Sequence, residues 1–176
     1  VDAGNALADL QAPFGSVTIN AGAVVRGDGG TSVTTADDIV LNNLVSSLVS
    51  VTMRAGTDGT GSITDGNLAA NNIDAPIVTL LAAQGIDADI TATTLTADVR
   101  LAGNITLDDL GLGTTNGAGL TVLRASTVGG NITITSAGTM TINSPDSLIT
   151  IAAVGALAAS NNVRNEGVEA GLTSFL

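Results

Sequence analysis

The chain has 176 residues, enough for one domain with a hydrophobic core. Its charge is sparse and one-sided: sixteen acids against five arginines, no lysine, no histidine and a net charge of −11. That balance excludes a nucleic-acid partner, whose backbone is held by Lys and Arg, and an anionic membrane surface would repel it.

With no cysteine there is no disulfide framework and no thiolate to act as nucleophile or metal ligand. Phe14 and Phe175 are the only aromatic residues, so a core has to be assembled from Val, Ile, Leu and Ala. No apolar run approaches the roughly 20 residues of a spanning helix, so membrane insertion is not expected.

The chain opens "VDAGNALADL", with neither an initiator Met nor a basic leader region, which reads as a fragment or a processed product. Residues 1–14 are expected to form an N-terminal cap or connector, using Val1, Leu7 and Leu10 as its apolar side. Pro13 then precedes the first apolar-Thr-apolar unit, Val17-Thr18-Ile19. A proline at that place forms a corner without removing a ladder hydrogen bond.

Arg26, Gly27 and Asp28 spell the integrin-type adhesion tripeptide inside the Gly-rich turn "RGDGG". A chain this rich in Gly and Asp also produces the tripeptide without any ligand role. Val33-Thr34 marks a further strand. The paired carboxylates Asp37-Asp38 lead into "DIVLNNL", which is echoed by "NITLDDL" from Asn104 to Leu110.

From Val51 onward a period emerges. Val51-Thr52-Met53, Val78-Thr79-Leu80, Ile105-Thr106-Leu107 and Ile132-Thr133-Ile134 are spaced 27 residues apart. A second column holds Ile63-Thr64 and Ile90-Thr91, and a third holds Leu68, Leu95, Val122 and Ile149. Ser62, Asp89, Asn116 and Asn143 form a column of turn formers. Pro76 and Pro145 stand shortly before Val78-Thr79-Leu80 and Ile149-Thr150-Ile151, as Pro13 does before its unit.

The apolar pieces are short, β-branched and alternating, which is the strand signature rather than the three-and-four spacing of helical repeats. Parallel strands need a long return, and one coil of a solenoid supplies it. The expected fold is all-β, a parallel β-helix or β-solenoid over residues 15–159 with coils of about 27 residues. An antiparallel β-sandwich is the alternative, since it shares the punctuation. Residues 160–176, which hold Arg164, both glutamates and Phe175, are expected to be a C-terminal cap or connector. In each unit the flanking aliphatic residues point inward and the threonine outward, so Thr52, Thr79, Thr106 and Thr133 are expected to form one outward ladder.

The units "GNITLDDL", "GLTVLRASTVGGNITITSAGTMTIN" and "GSVTINAGAVV" resemble the β-helical shafts of filamentous-haemagglutinin-like exoproteins and autotransporter adhesins. The resemblance covers most of Gly15 to Ala159 and rests on composition and strand patterning. It implies a right-handed parallel β-helix, secretion, an extracellular or cell-surface location, and a structural or adhesive role. The short regular repeat of that family's best-known shafts is absent here.

Catalysis is not expected. Asp108-Asp109 is a second carboxylate pair, but sequence neighbours on a strand face opposite ways and each pair reads as a solvated turn. No His, Lys or Cys is present as base or nucleophile, and no Trp or Tyr to stack on a sugar, which disfavours a polysaccharide-degrading β-helix enzyme. Ice binding through the outward threonine ladder is the sharper alternative. It normally uses two aligned ranks, and the place two beyond each ladder threonine reads Arg54, Leu81, Asp108, Thr135.

Asn104 and Asn131 stand in Asn-Ile-Thr sequons, and both also suit strand corners. Of cofactors only calcium stays open, at "GTDGTGSITDGN", which follows neither the EF-hand nor the Gly-rich nonapeptide pattern. No catalytic, cofactor or metal residue is assigned. The expected role is a stiff, acidic, rod-like spacer in a surface protein or filament, joined end to end with copies of itself or continuous with a longer chain. Any host or surface ligand is left unspecified.

Overall fold

The computed structural model describes residues 1–68, 70–111 and 119–143, together with the strand backbones 149–153 and 157–159. It is an all-β solenoid of about 6 turns, with stacked parallel strands and no helix among the described residues.

The first three coils each run through three sides. They are β1 (Leu7–Ala12), β2 (Val17–Ile19) and β3 (Val25–Arg26); then β4 (Gly30–Thr35), β5 (Ile39–Leu41) and β6 (Val45–Ser46); then β7 (Ser50–Arg54), β8 (Ser62–Asp65) and β9 (Ile73–Asp74). From β10 (Ile77–Ala82) and β11 (Gly85–Thr91) the coils have two strands each. They continue as β12 (Thr94–Val99) and β13 (Ile105–Asp109), then β14 (Leu120–Thr127) and β15 (Ile132–Ser136). β16 (Met140–Ile142), β17 (Ile149–Ala153) and β18 (Leu157–Ala159) complete the series.

Two sheets result. The first has eight strands in the order β1-β4-β7-β10-β12-β14-β16-β18, and the second has ten, following β2-β5-β8-β11-β13-β15-β17 with the short column β3-β6-β9 attached. The junction is β11. Its start, Gly85 and Ile86, pairs with β8, and its end, Ile90 and Thr91, pairs with β9.

Inside, matched aliphatic side chains stack from coil to coil. In the second sheet the ladder runs Val17, Ile39, Ile63, Ile86, Ile105, Ile132. All of these but Val17 are buried. In the first sheet Val51, Val78, Leu95 and Val122 form one ladder, and Val33, Met53, Leu80, Ala97 and Ala125 another. Each such side chain contributes roughly 1.5–3 kcal/mol by leaving water. Phe14 takes no part and is 97% exposed, so the described core is wholly aliphatic apart from its two methionines.

The mean coil is about 23 residues rather than 27. The 27-residue step holds for Val51 over Val78, for Leu95 over Val122 and for Ile105 over Ile132. Elsewhere the step changes: Val78 sits over Leu95 and Ile86 over Ile105. The four units expected in one column therefore divide, Val51 and Val78 going to the first sheet and Ile105 and Ile132 to the second. Ile90 pairs with Ile73, not with the Ile63 column. Corner length sets these steps, and the stretch from Ala55 to Gly61 between β7 and β8 lengthens one coil without altering any strand.

The strand β1 already stacks on β4, so the solenoid's first strand lies within residues 1–14. Residues 160–176 and Pro145 lie outside the described residues.

Candidate functional site

The outer faces carry the polar side chains. On the second sheet the rank beside the Ile ladder reads Thr18, Val40, Thr64, Asp87, Thr106, Thr133. On the first sheet it reads Asp9, Ser32, Thr52, Thr79, Thr96, Arg124. Thr52 and Thr79 are thus vertical neighbours, as are Thr106 and Thr133, but the two pairs belong to different sheets. The single four-threonine ladder is corrected to two shorter ranks. The physical reason is that an apolar-Thr-apolar strand fits either sheet equally, and the corners decide which one it joins. On one face Val40 and Asp87 interrupt the hydroxyl rank. On the other the next rank outward reads Thr34, Arg54, Leu81, Asp98, Ser126, so among the described residues that face carries no aligned double rank of hydroxyls.

The adhesion tripeptide is folded into the wall. Arg26 ends β3, and its Nε donates to Asp28 Oδ1 at 2.6 Å. Gly27 is buried: a Cβ there would overlap the Gly30 carbonyl oxygen and the Ala8 amide. The Asp28 amide donates to the Gly4 carbonyl. Arg26 and Asp28 are engaged with each other, and to meet a partner as separate charges they must first part. A second surface ion pair among the described residues, Arg124 to Asp98 at 2.8 Å, spans two coils of the first sheet beside a bulge at Leu123.

The charge that does gather is acidic and lies on the second sheet. Asp87 and Asp89 are on β11; Asp108 and Asp109 are on β13; Asp65 ends β8. Asp89 and Asp108 are register partners on neighbouring strands. Asp89 is 6% exposed, although it lies on the outward side of the alternation. Burial first, then Asp65, Asp108 and Asp87, push its carboxyl up to about 6. Burial, then Asp65 and Asp108, also raise Asp87. The strands β8, β9, β11 and β13 carry no arginine.

The sequence pattern puts Asp89 in a column of turn formers and Asp108-Asp109 in a solvated turn. Instead Asp89 is inside a strand, and Asp109 is 5% exposed and accepts from Ser136 Oγ one coil away at 2.7 Å. Thr135 Oγ1 likewise donates to Asp108.

Sequence reasoning passed over Asn72, the fully buried hub of this region. Its Oδ1 accepts from the Asp89 amide at 2.8 Å. Its Nδ2 lies 3.0 Å from Asn67 Oδ1 and 3.2 Å from both Asp65 Oδ1 and the Leu41 carbonyl. Its own amide donates to the Asp89 carbonyl. The side chain thus ties three coils together. The only available signal was a second Asn, Asn71-Asn72, in front of an apolar residue.

Asp58 and Asp65 of the calcium-like stretch use their carboxylates on nearby backbone amides. Among the described residues no group of three acidic side chains is placed to hold a metal ion. Asn104 and Asn131 of the two sequons stack at successive corners, where Asn104 Oδ1 accepts from the Asn131 amide at 2.9 Å. Between them and β8 a shallow groove of roughly 320 Å³ is lined by Ser62, Thr64, Gly85, Asp87, Asn104 and Thr106. It offers hydroxyls, an amide and a carboxylate, without a cation or an aromatic face.

Comparison with known proteins found no family model, no curated protein and no solved structure that matches this chain.

Proposed function

We propose that this chain is a non-catalytic structural and adhesive segment of an extracellular surface protein or filament, acting as a stiff spacer. The observation that carries the reading is the unbroken stack of parallel strands, whose side chains are spent on coil-to-coil ladders. The Ile ladder from Ile39 to Ile132 fills the inside. Hydroxyls and carboxylates lie along the outer ranks, and the groove between Asn104 and β8 offers no imidazole, amine or thiol. Such a solenoid resists bending because every coil is hydrogen-bonded to the next along two sheets.

The likeness of "GNITLDDL" and its neighbours to filamentous-haemagglutinin-like and autotransporter shafts supports a surface location. So does the acidic, lysine-free exterior, which keeps a repetitive protein soluble. An exposed strand edge at a coil end pairs readily with another strand, which supports end-to-end growth or continuity with further coils.

Negative-stain electron microscopy of the purified chain tests this reading. Rods, singly or joined end to end, are the expected result. Isolated round particles of uniform size at every concentration overturn the spacer and filament roles.

A further inference from the structure

We propose that β11 is an acid-stabilised joint of the solenoid: uptake of a proton by Asp89, which stands opposite Asp108 on the next strand, strengthens the junction between the three-sided and two-sided coils. Three geometric facts lead there. First, β11 is the one described strand that closes onto both β8 and β9, so every second-sheet strand beyond it is registered through it. Second, Asp89 is held at this junction by paired bonds with Asn72, amide to Oδ1 and carbonyl to amide. Third, Asp89 is only 6% exposed although it lies on the outward side of its strand. An ionised carboxylate in that setting is costly, and it stands one strand from a second one.

The groups around Asp89 all carry the same sign. From β8 it meets Asp65, along β11 Asp87, and from β13 Asp108, while Asp109 alternates to the other face of β13 opposite Ile90. Asp74 lies on β9, paired with Thr91. The strand β15, beyond β13, supplies only hydroxyls, Thr135 to Asp108 and Ser136 to Asp109. The nearest arginine in this sheet is Arg26 on β3, bound to Asp28. With no three-carboxylate metal site among the described residues, a proton is the ligand that relieves the repulsion.

The direction follows from linkage. Folded Asp89 holds its proton more firmly than it does in the unfolded chain, where an aspartate titrates near 3.8. The folded state therefore gains stability as pH falls through about 6, and the gain is complete below the unfolded value. For one such group the folding constant rises about tenfold between roughly pH 8 and pH 5. Asp87 adds in the same direction.

The test is urea denaturation of the whole chain, followed by far-ultraviolet circular dichroism at mildly alkaline and mildly acidic pH. Three proteins are compared: wild type, Asp89→Asn and Asp108→Asn. The wild-type midpoint is expected to rise on acidification. Asp89→Asn mimics the protonated form, so its midpoint at alkaline pH should be higher than wild type and its acid response smaller by about tenfold in folding constant. Asp108→Asn removes only the facing charge and gives the same trend should Asp89→Asn fail to fold. A wild-type midpoint that is flat or falls on acidification overturns the proposal. So does a full wild-type response retained by both variants.

Discussion

At the scale of single residues, Asn72 shows how one buried amide can organise several coils. Its side chain satisfies the Asp89 amide and reaches acceptors on β5, on β8 and in the corner between β8 and β9. Replacing it with Ala leaves a buried donor unmatched and removes a support from Asp65, which itself caps the Asn67 and Leu68 amides. A buried unsatisfied group costs about 1–3 kcal/mol beyond the lost bonds, so Asn72→Ala should lower stability by about 2–4 kcal/mol. Asn72→Asp keeps the shape but removes the Nδ2 donor and introduces a charge beside Asp65 and Asp89. It should be the more damaging change at neutral pH and recover in part on acidification, as equilibrium denaturation at two pH values will show. The residue was not legible in advance, because a corner asparagine that serves its own backbone and one that spans coils look alike in a sequence.

At the scale of elements, the strands themselves were readable. Apolar-Thr-apolar units recur because each strand has a dry and a wet side, and the inward and outward assignments hold in β7, β10, β13 and β15. Register was readable only where a coil keeps its length, as from Val51 to Val78 or from Ile105 to Ile132. It failed between Val78 and Ile105, because both sheets present the same outward threonine and inward aliphatic pattern. Hydropathy therefore does not say which sheet a strand joins. The acidic cluster was hidden for the same reason: Asp89 and Asp108 stand 19 residues apart, outside the 27-residue phase.

Corners are where that information resides, and Gly103 and Gly130 are the plainest case. They occupy successive corners, and a Cβ on either would overlap the carbonyl of the coil beneath, Gln84 for one and Gly103 for the other. Gly103→Ala should force the β12–β13 corner off its neighbour at a cost of about 3 kcal/mol or more, the scale of a severe backbone clash. Gly129→Ala is the matched control, since its added Cβ would find only ordinary contact with Ala102 at 3.6 Å. Its stability should stay within about 1 kcal/mol of wild type. Thermal melts of the pair will separate a steric requirement from a general need for flexible corners.

At the scale of the whole molecule, the charge distribution and the stacking act against each other. Sixteen acids and five arginines leave a net charge of −11 on a chain whose coils repeat at about 4.8 Å, so like charges recur on neighbouring strands by construction. Ladder hydrogen bonds and aliphatic burial hold the coils together, while the carboxylates of β8, β11 and β13 push them apart. Exposed charges are screened within about 10 Å at about 0.1 M salt, so part of this repulsion is removable without touching any contact. Raising sodium chloride from about 10 mM to about 300 mM at neutral pH should therefore raise Tm, the reverse of what a fold held by surface ion pairs would do. The gain should shrink at mildly acidic pH, because protonation of Asp89 has by then removed the most crowded charge. A Tm that falls with salt would instead place Arg26–Asp28 and Arg124–Asp98 among the main supports of the solenoid. Their exposure, 45% for the first guanidinium and 57% for the second, argues that screened pairs of this kind contribute little.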